Sequence, residues 1–188
     1  MINSDLFYYD ENPAFSFALM FLLVEDKGGY SVLFEKRSSK IHQAGEICLP
    51  GGKREAGESA IAAAKRETWE ELGADGIEIW GHLPFERDLR GRIVQPVVGF
   101  IKKETLRIKV SVDEVASYFF CPLDYLRNNC PVKIRDIEDD FPHLKKLFAG
   151  YELFADFNDF CWLYENEAIW GLTGRVVRRF VKIINDGK

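Results

Sequence analysis

The segment from Glu58 to Leu72 constrains this chain most. It contains neither proline nor glycine, is rich in alanine, and runs into Gly73. Alanine loses no side-chain freedom in a helix, and glycine readily adopts the left-handed turn that ends one, so the run predicts a helix over 58–72. Ile61, Ala64, Thr68 and Leu72 recur at helical spacing and mark the face that packs inward. Glu67, Glu70 and Glu71 share a sector of roughly 100° away from the centre of that stripe. Like charges three and four residues apart destabilise a helix by several tenths of a kcal/mol, so the cluster calls for a cation, and Arg66 is one charge against three. An E-x-x-E-E run by itself is usually a solvated helix face. With a cation it becomes an oxygen-rich site suited to magnesium or manganese, which take few carboxylates and complete their shells with water and phosphate oxygens.

Upstream, Phe15 to Val24 and Tyr30 to Lys36 suit buried strands, and Asp26-Lys27-Gly28-Gly29 between them supplies turn chemistry, so a hairpin is expected. A polar loop from Arg37 to Glu46 leads to a short strand at Ile47-Cys48-Leu49 and a sharp turn at Pro50-Gly51-Gly52. Further strands are expected at Ile77–Leu83, Ile93–Lys102, Arg107–Val112 and Tyr118–Phe120. Helices follow at Leu123–Arg127 and Phe141–Leu147, with a last amphipathic helix over Ala168–Ile184 that carries Trp170, Val177, Phe180 and Ile184 near one face. Arg135 to Asp140 reads as a solvated acidic loop.

With 188 residues, 47% of them hydrophobic, the chain can fill one core, and a single domain over 1–188 is expected. A net charge of -5 lacks the basic excess that drives binding to nucleic acid. Cys48, Cys121, Cys130 and Cys161 form no C-x-x-C pair, which points to free thiols in a reducing cytoplasm. The longest apolar run, Ala14 to Val24, is too short to span a bilayer and follows an acidic start, so neither export nor a membrane anchor is expected.

Gly52, five residues, Glu58, seven residues, then Arg66-Glu67-Thr68-Trp69-Glu70-Glu71-Leu72-Gly73-Ala74 resembles the Nudix box, G, five residues, E, seven residues, REUxEExGU, where U is aliphatic. Every fixed non-aliphatic position matches, and Thr68 and Ala74 replace bulkier aliphatic residues. The resemblance implies an α/β fold, a Nudix-type α/β/α sandwich with a mixed sheet and a catalytic loop-helix-loop. It implies that Glu67, Glu70 and Glu71 serve as metal ligands or as the base that activates water, Glu67 and Glu71 foremost as ligands. By the same resemblance Arg66 orients a glutamate, Glu58 supports the helix start or a second ion, and the Gly51 carbonyl joins the metal shell. Asp113-Glu114-Val115 resembles the segment from which an extra acidic residue approaches the metals, with Glu114 the candidate.

Leu33-Phe34-Glu35-Lys36-Arg37-Ser38 and Gly45-Glu46-Ile47-Cys48-Leu49-Pro50-Gly51-Gly52 are similar to the signature preceding the box in coenzyme A diphosphatases, roughly LLTxRS, a basic loop, G, three residues, FPGG. Gln95-Pro96-Val97-Val98-Gly99 and Ile169-Trp170-Gly171-Leu172-Thr173-Gly174-Arg175 extend the likeness. The loop between Ser38 and Gly45 is one residue short and lacks the usual Arg, offering Lys40 and His42 instead. The resemblance implies Arg37, Gly51 and Gly52 as substrate contacts, a coenzyme A substrate, and a homodimer, and Lys40 and His42 are the phosphate contacts that this departing loop offers. Phe85 to Gln95 holds neither the proline of ADP-ribose hydrolases nor the tyrosine of dinucleoside polyphosphate hydrolases. The NADH-type motif is absent, and an isomerase of the same fold would need a cysteine in an Asn-Ser-x-Cys-type motif. The physical chemistry alone reaches metal-assisted cleavage of a phosphoanhydride in a small molecule, and leaves open a broad nucleoside-diphosphate-linked hydrolase or a non-catalytic nucleotide-sensing module.

Overall fold

The computed structural model of the chain describes residues 2–7, 9–136, 141 and 160–187. A short 3-10 turn, Ser4–Phe7, precedes β1 (Phe17–Asp26) and β2 (Gly29–Arg37), which pair antiparallel as the predicted hairpin. Residues of β1 alternate between two cores: Phe21 and Leu23 face one, Ala18, Met20, Leu22 and Val24 the other. A strand buried on both faces reads as a continuous apolar run, which is what Phe17 to Val24 is.

Next come β3 (Ile47–Cys48), β4 (Gly51–Lys53), α1 (Ala60–Leu72), β5 (Glu78–His82), β6 (Glu86–Arg87), β7 (Ile93–Lys102), β8 (Val115–Pro122) and α2 (Leu123–Asn128). Among the described residues these strands form an eight-stranded mixed sheet ordered β3-β2-β1-β7-β5, with β4 on β1, β6 on β7 and β8 on β2. The central pair, β1 and β7, is parallel, so the chain must cross from one to the other, and α1 lies on that crossover. Three short strands, β9 (Val132–Lys133), β10 (Phe160–Tyr164) and β11 (Glu167–Ile169), make a second sheet, and α3 (Gly171–Asp186) closes the described chain. The core containing Ala60, Ala63, Ala64 and Leu72 puts α1 on one sheet face, and the core containing Leu126, Val177 and Phe180 puts α2 and α3 on the other. The layers are those of an α/β/α sandwich.

Three expectations change. Arg107–Val112 is not a strand: the Lys109 and Ser111 N–H groups donate to Leu72 O and Glu71 O at 2.7 and 2.8 Å, so this segment satisfies the end carbonyls of α1 instead of a neighbouring strand. Gly73, at φ 63°, stops the helix beneath it, and a side chain there would meet Lys109 at 3.1 Å. The last helix starts at Gly171, three residues later than expected, because Glu167–Ile169 pairs with β10. Finally, α1 begins two residues late, where the Ser59 side chain accepts from the Ala62 N–H at 3.2 Å and caps the helix. Phe141–Leu147, expected as a helix, falls outside the described residues apart from Phe141. Cys48, Cys121, Cys130 and Cys161 are free thiols, and no described helix is long and apolar enough to cross a membrane.

Candidate active site

The packing of α1 divides its three glutamates. Thr68 is fully buried, and its hydroxyl donates to Ala64 O at 2.7 Å, which lets a polar residue occupy an inward position beside Ala63 and Ala64. Glu71 lies on the same inward side and is 5% exposed, Glu67 is half-buried, and Glu70 is exposed. They therefore form a gradient from core to solvent, where the sequence suggested one shared face.

The Pro50-Gly51-Gly52 turn is shaped by these acids. As part of β4, Gly51 pairs with Leu19 and Gly52 with Ala18. Gly51 has φ 148°, and a Cβ on it would lie 2.3 Å from Ala18 O. Its N–H donates to Glu71 Oε2 at 2.8 Å. A Cβ on Gly52 would fall 2.4 Å from the Glu67 carboxyl carbon. Glycine at both positions thus brings the backbone directly against the two inner glutamates.

Arg66 gathers the others. Its guanidinium donates to Glu58 Oε1 at 2.8 Å, to Glu67 Oε1 and Glu70 Oε2 at 2.9 Å each, and to Lys53 O at 2.9 Å. Glu58, just ahead of the helix cap, also accepts the Glu55 N–H at 2.8 Å. The Arg66 hydrogen bond holds the Glu58 carboxyl below the usual carboxylate range. Burial raises Glu67 above that range against the opposing pull of Arg66, with Glu70 and Glu114 adding to the rise. Glu71 is pushed up to about 9, by burial first and then by the charge of Glu35, while the Gly51 N–H opposes the shift.

Glu35 was not singled out from the sequence. It sits on β2 opposite Cys48 of β3, is 1% exposed, accepts the Cys48 thiol at 3.3 Å, and leaves Oε2 with no partner among the described residues. Burial raises its pKa to about 7, with Cys48 and Arg37 opposing and Glu114 and Glu67 reinforcing. The available signal was a lone acid inside the apolar strand Val32-Leu33-Phe34. Glu114, directly before β8, is exposed but close enough for its charge to act on Glu35, Glu67 and Glu71.

Beside these glutamates opens a cleft of about 290 Å³, with Arg37, Cys48, Gly51, Gly52, Arg92 and Thr173 among its lining residues. Of the predicted substrate contacts, Arg37, Gly51 and Gly52 line it; Lys40 and His42 do not. Lys40 is ion-paired to Asp113 at 2.6 Å, and exposed His42 offers its backbone carbonyl to Arg37 Nε at 2.9 Å.

Among the described residues, no three His, Cys, Asp or Glu side chains already converge on one metal position, because Arg66 draws Glu58, Glu67 and Glu70 while Gly51 holds Glu71. The donor set nevertheless fits a hard divalent cation: its side-chain donors are all oxygen, Glu67 and Glu71 are raised in pKa by burial, and Glu35, whose charge acts on Glu71, has a buried carboxylate oxygen with no partner among the described residues.

The sequence model of the NUDIX domain matches residues 16–143, more than half of the chain. The chain belongs to the Nudix family. As a Nudix hydrolase it is an enzyme that cleaves diphosphate bonds, and the family generally uses divalent metal ions. It is 32% identical over 183 residues to Nudix hydrolase 3 of Caenorhabditis elegans, a match covering 94% of this chain and 75% of that protein. It is 35% identical over 122 residues to peroxisomal coenzyme A diphosphatase NUDT7 of Mus musculus, covering 62% of this chain and 51% of that protein. Among solved structures, a C. elegans Ap4A hydrolase binary complex superposes with a TM-score of 0.50 at 17% identity, over 74% of this chain and 98% of that one, a likeness of fold.

Proposed function

We propose that this Nudix hydrolase cleaves the diphosphate of coenzyme A or an acyl derivative with water, releasing adenosine bisphosphate and phosphopantetheine or its acylated form. The observation that carries the hydrolytic part is the set Glu35, Glu67 and Glu71, raised in pKa, with Glu67 and Glu71 packed against the two glycines that line the cleft. Glu67 and Glu71 would hold magnesium or manganese, with Glu70, Glu58, Glu114 and the Gly51 carbonyl completing or supporting the set. When bound, the cation neutralises the diphosphate and lowers the pKa of water. Glu67 or Glu70 accepts the proton released as water attacks, and Arg66 orients both through its two hydrogen bonds to them. Gly51 and Gly52 leave room for phosphate oxygens beside the carboxylates, and Arg37 supplies a cation on the cleft wall. Residues 1–188 act as one unit in this reading, supported by the start of α3 lining the same cleft as β4.

The coenzyme A assignment is supported by the motif before the box and by the identity with mouse NUDT7, named as a coenzyme A diphosphatase. One observation favours a broader nucleoside-diphosphate-linked hydrolase: Lys40 and His42 of the shortened loop are not among the residues lining the cleft. The deciding experiment incubates purified protein and magnesium with coenzyme A, ADP-ribose, NADH, dinucleoside polyphosphates and nucleoside triphosphates, with products separated by ion exchange. Preferred cleavage of coenzyme A to adenosine bisphosphate is expected. Comparable rates across the panel would replace the first reading by the second, and no turnover of any member would refute both.

A further inference from the structure

We propose that the first turn of α3, with the Thr173 hydroxyl, and Arg37 on another wall of the cleft bind a phosphate monoester of the substrate, separate from the diphosphate that is cleaved. This deepens the coenzyme A reading and rests on it for the identity of that phosphate.

The helix is 16 residues long, its N-cap Trp170 makes no side-chain capping bond, and its first turn has no acidic residue. The Gly174 N–H returns to Trp170 O at 2.8 Å, and the N–H groups ahead of it, on Gly171, Leu172 and Thr173, have no intrahelical acceptor. These three residues line the cleft. A helix end of this kind presents N–H donors and the positive pole of the helix dipole to its surroundings.

Thr173 is the independent observation. It is 7% exposed and lines the cleft, and its hydroxyl makes no hydrogen bond to a described residue. Thr68 shows the usual solution for a buried helical threonine, donating to the carbonyl four residues back at 2.7 Å. A hydroxyl on the cleft wall with no partner on its own helix is left to bond whatever fills the cleft.

The charge around the turn agrees. Arg37 donates to His42 O at 2.9 Å and points a second nitrogen at Cys48 Sγ, 4.0 Å away, but forms no salt bridge among the described residues. Of the acids lining the cleft, Asp88 is held by Arg92 at 2.6 Å and Glu46 accepts from the Gln43 amide at 3.4 Å. The glutamates that address the diphosphate stand behind Gly51 and Gly52, on β4 and α1, whereas Trp170 to Thr173 belong to a different element. Different elements of the cleft would then hold the diphosphate and an anion at the helix turn. Backbone N–H groups, a hydroxyl and a planar guanidinium are together the donors that a phosphate dianion takes. Coenzyme A carries such a phosphate, and dephospho-coenzyme A lacks it.

The test compares kcat/KM for coenzyme A and dephospho-coenzyme A in the wild type, Thr173→Val and Thr173→Ser. Wild type is expected to prefer coenzyme A. Thr173→Val should lower the ratio of the two kcat/KM values about tenfold, the effect of one hydrogen bond to a charged group, while Thr173→Ser keeps it. An unchanged ratio in Thr173→Val, or equal losses on both substrates, would overturn the proposal; the latter would place the diphosphate itself at the turn. A second arm uses calorimetry with adenosine 3′,5′-bisphosphate and 5′-AMP. Tighter binding of the bisphosphate that Thr173→Val abolishes supports the site even if neither coenzyme A form is hydrolysed, an outcome that would sink only the coenzyme A reading. Equal binding of the two nucleotides by the wild type would overturn the site itself.

Discussion

Replacing Glu35 with glutamine tests the electrostatics of the site directly. The carboxyl is 1% exposed, has one oxygen without a partner among the described residues, and is raised from 4.5 to about 7. A folded-state pKa above the unfolded one means that folding retains a proton the unfolded chain releases. The contribution of Glu35 to stability is therefore fully present below pH 4.5, declines as pH rises, and is lost once pH passes about 7. A shift of this size corresponds to roughly 3 kcal/mol. Glutamine has the same shape, keeps a carbonyl oxygen for the Cys48 thiol and carries no charge, and it also relieves Glu71 of a neighbouring charge that raises it. In urea unfolding with EDTA at pH 5 and pH 8.5, the wild type should lose about 1–3 kcal/mol more between the two pH values than Glu35→Gln. The variant should consequently be the more stable protein at pH 8.5. Parallel pH profiles, or a variant destabilised equally at both pH values, would refute the argument that burial of charge sets these pKa values.

Glu67→Gln and Glu71→Gln should each lower kcat with magnesium by orders of magnitude while circular dichroism stays unchanged; near-normal rates in either would remove that residue from the proposed metal set. Gly52→Ala places a methyl 2.4 Å from the Glu67 carboxyl carbon, so turnover should fall about a hundredfold, with the side chain forced to shift; wild-type kinetics would show that the close approach is dispensable. Lys40→Ala breaks only an exposed pair with Asp113 and should leave KM for coenzyme A and the melting temperature unchanged, whereas Arg37→Ala should raise KM; a KM increase in Lys40→Ala would bring the loop back into substrate binding.

How much of the site was legible depended on how local its cause was. The helix over 58–72, its terminating glycine and the spacing of Glu67, Glu70 and Glu71 follow from helical periodicity, which a single stretch of chain contains in full. The pairing of Phe17–Asp26 with Gly29–Arg37 was readable because its turn residues lie between the strands. Arg107–Val112 misled because an extended backbone can satisfy its N–H groups at a helix end as well as at a strand, and residue type does not distinguish these partners.

From its own residues, then, the chain declares a carboxylate-bearing helix behind a glycine turn and, with it, cation and phosphoanhydride chemistry, since charge spacing along a helix needs no distant partner. Tertiary structure alone decided that Glu71 is buried and Glu70 is not. It also decided that Glu35 joins them across the β2–β3 pairing, that Lys40 turns to Asp113, and that Thr173 reaches the cleft. Each of these depends on strand register and layer packing between segments far apart in the chain, which set burial and hence the strength of every charge in the site.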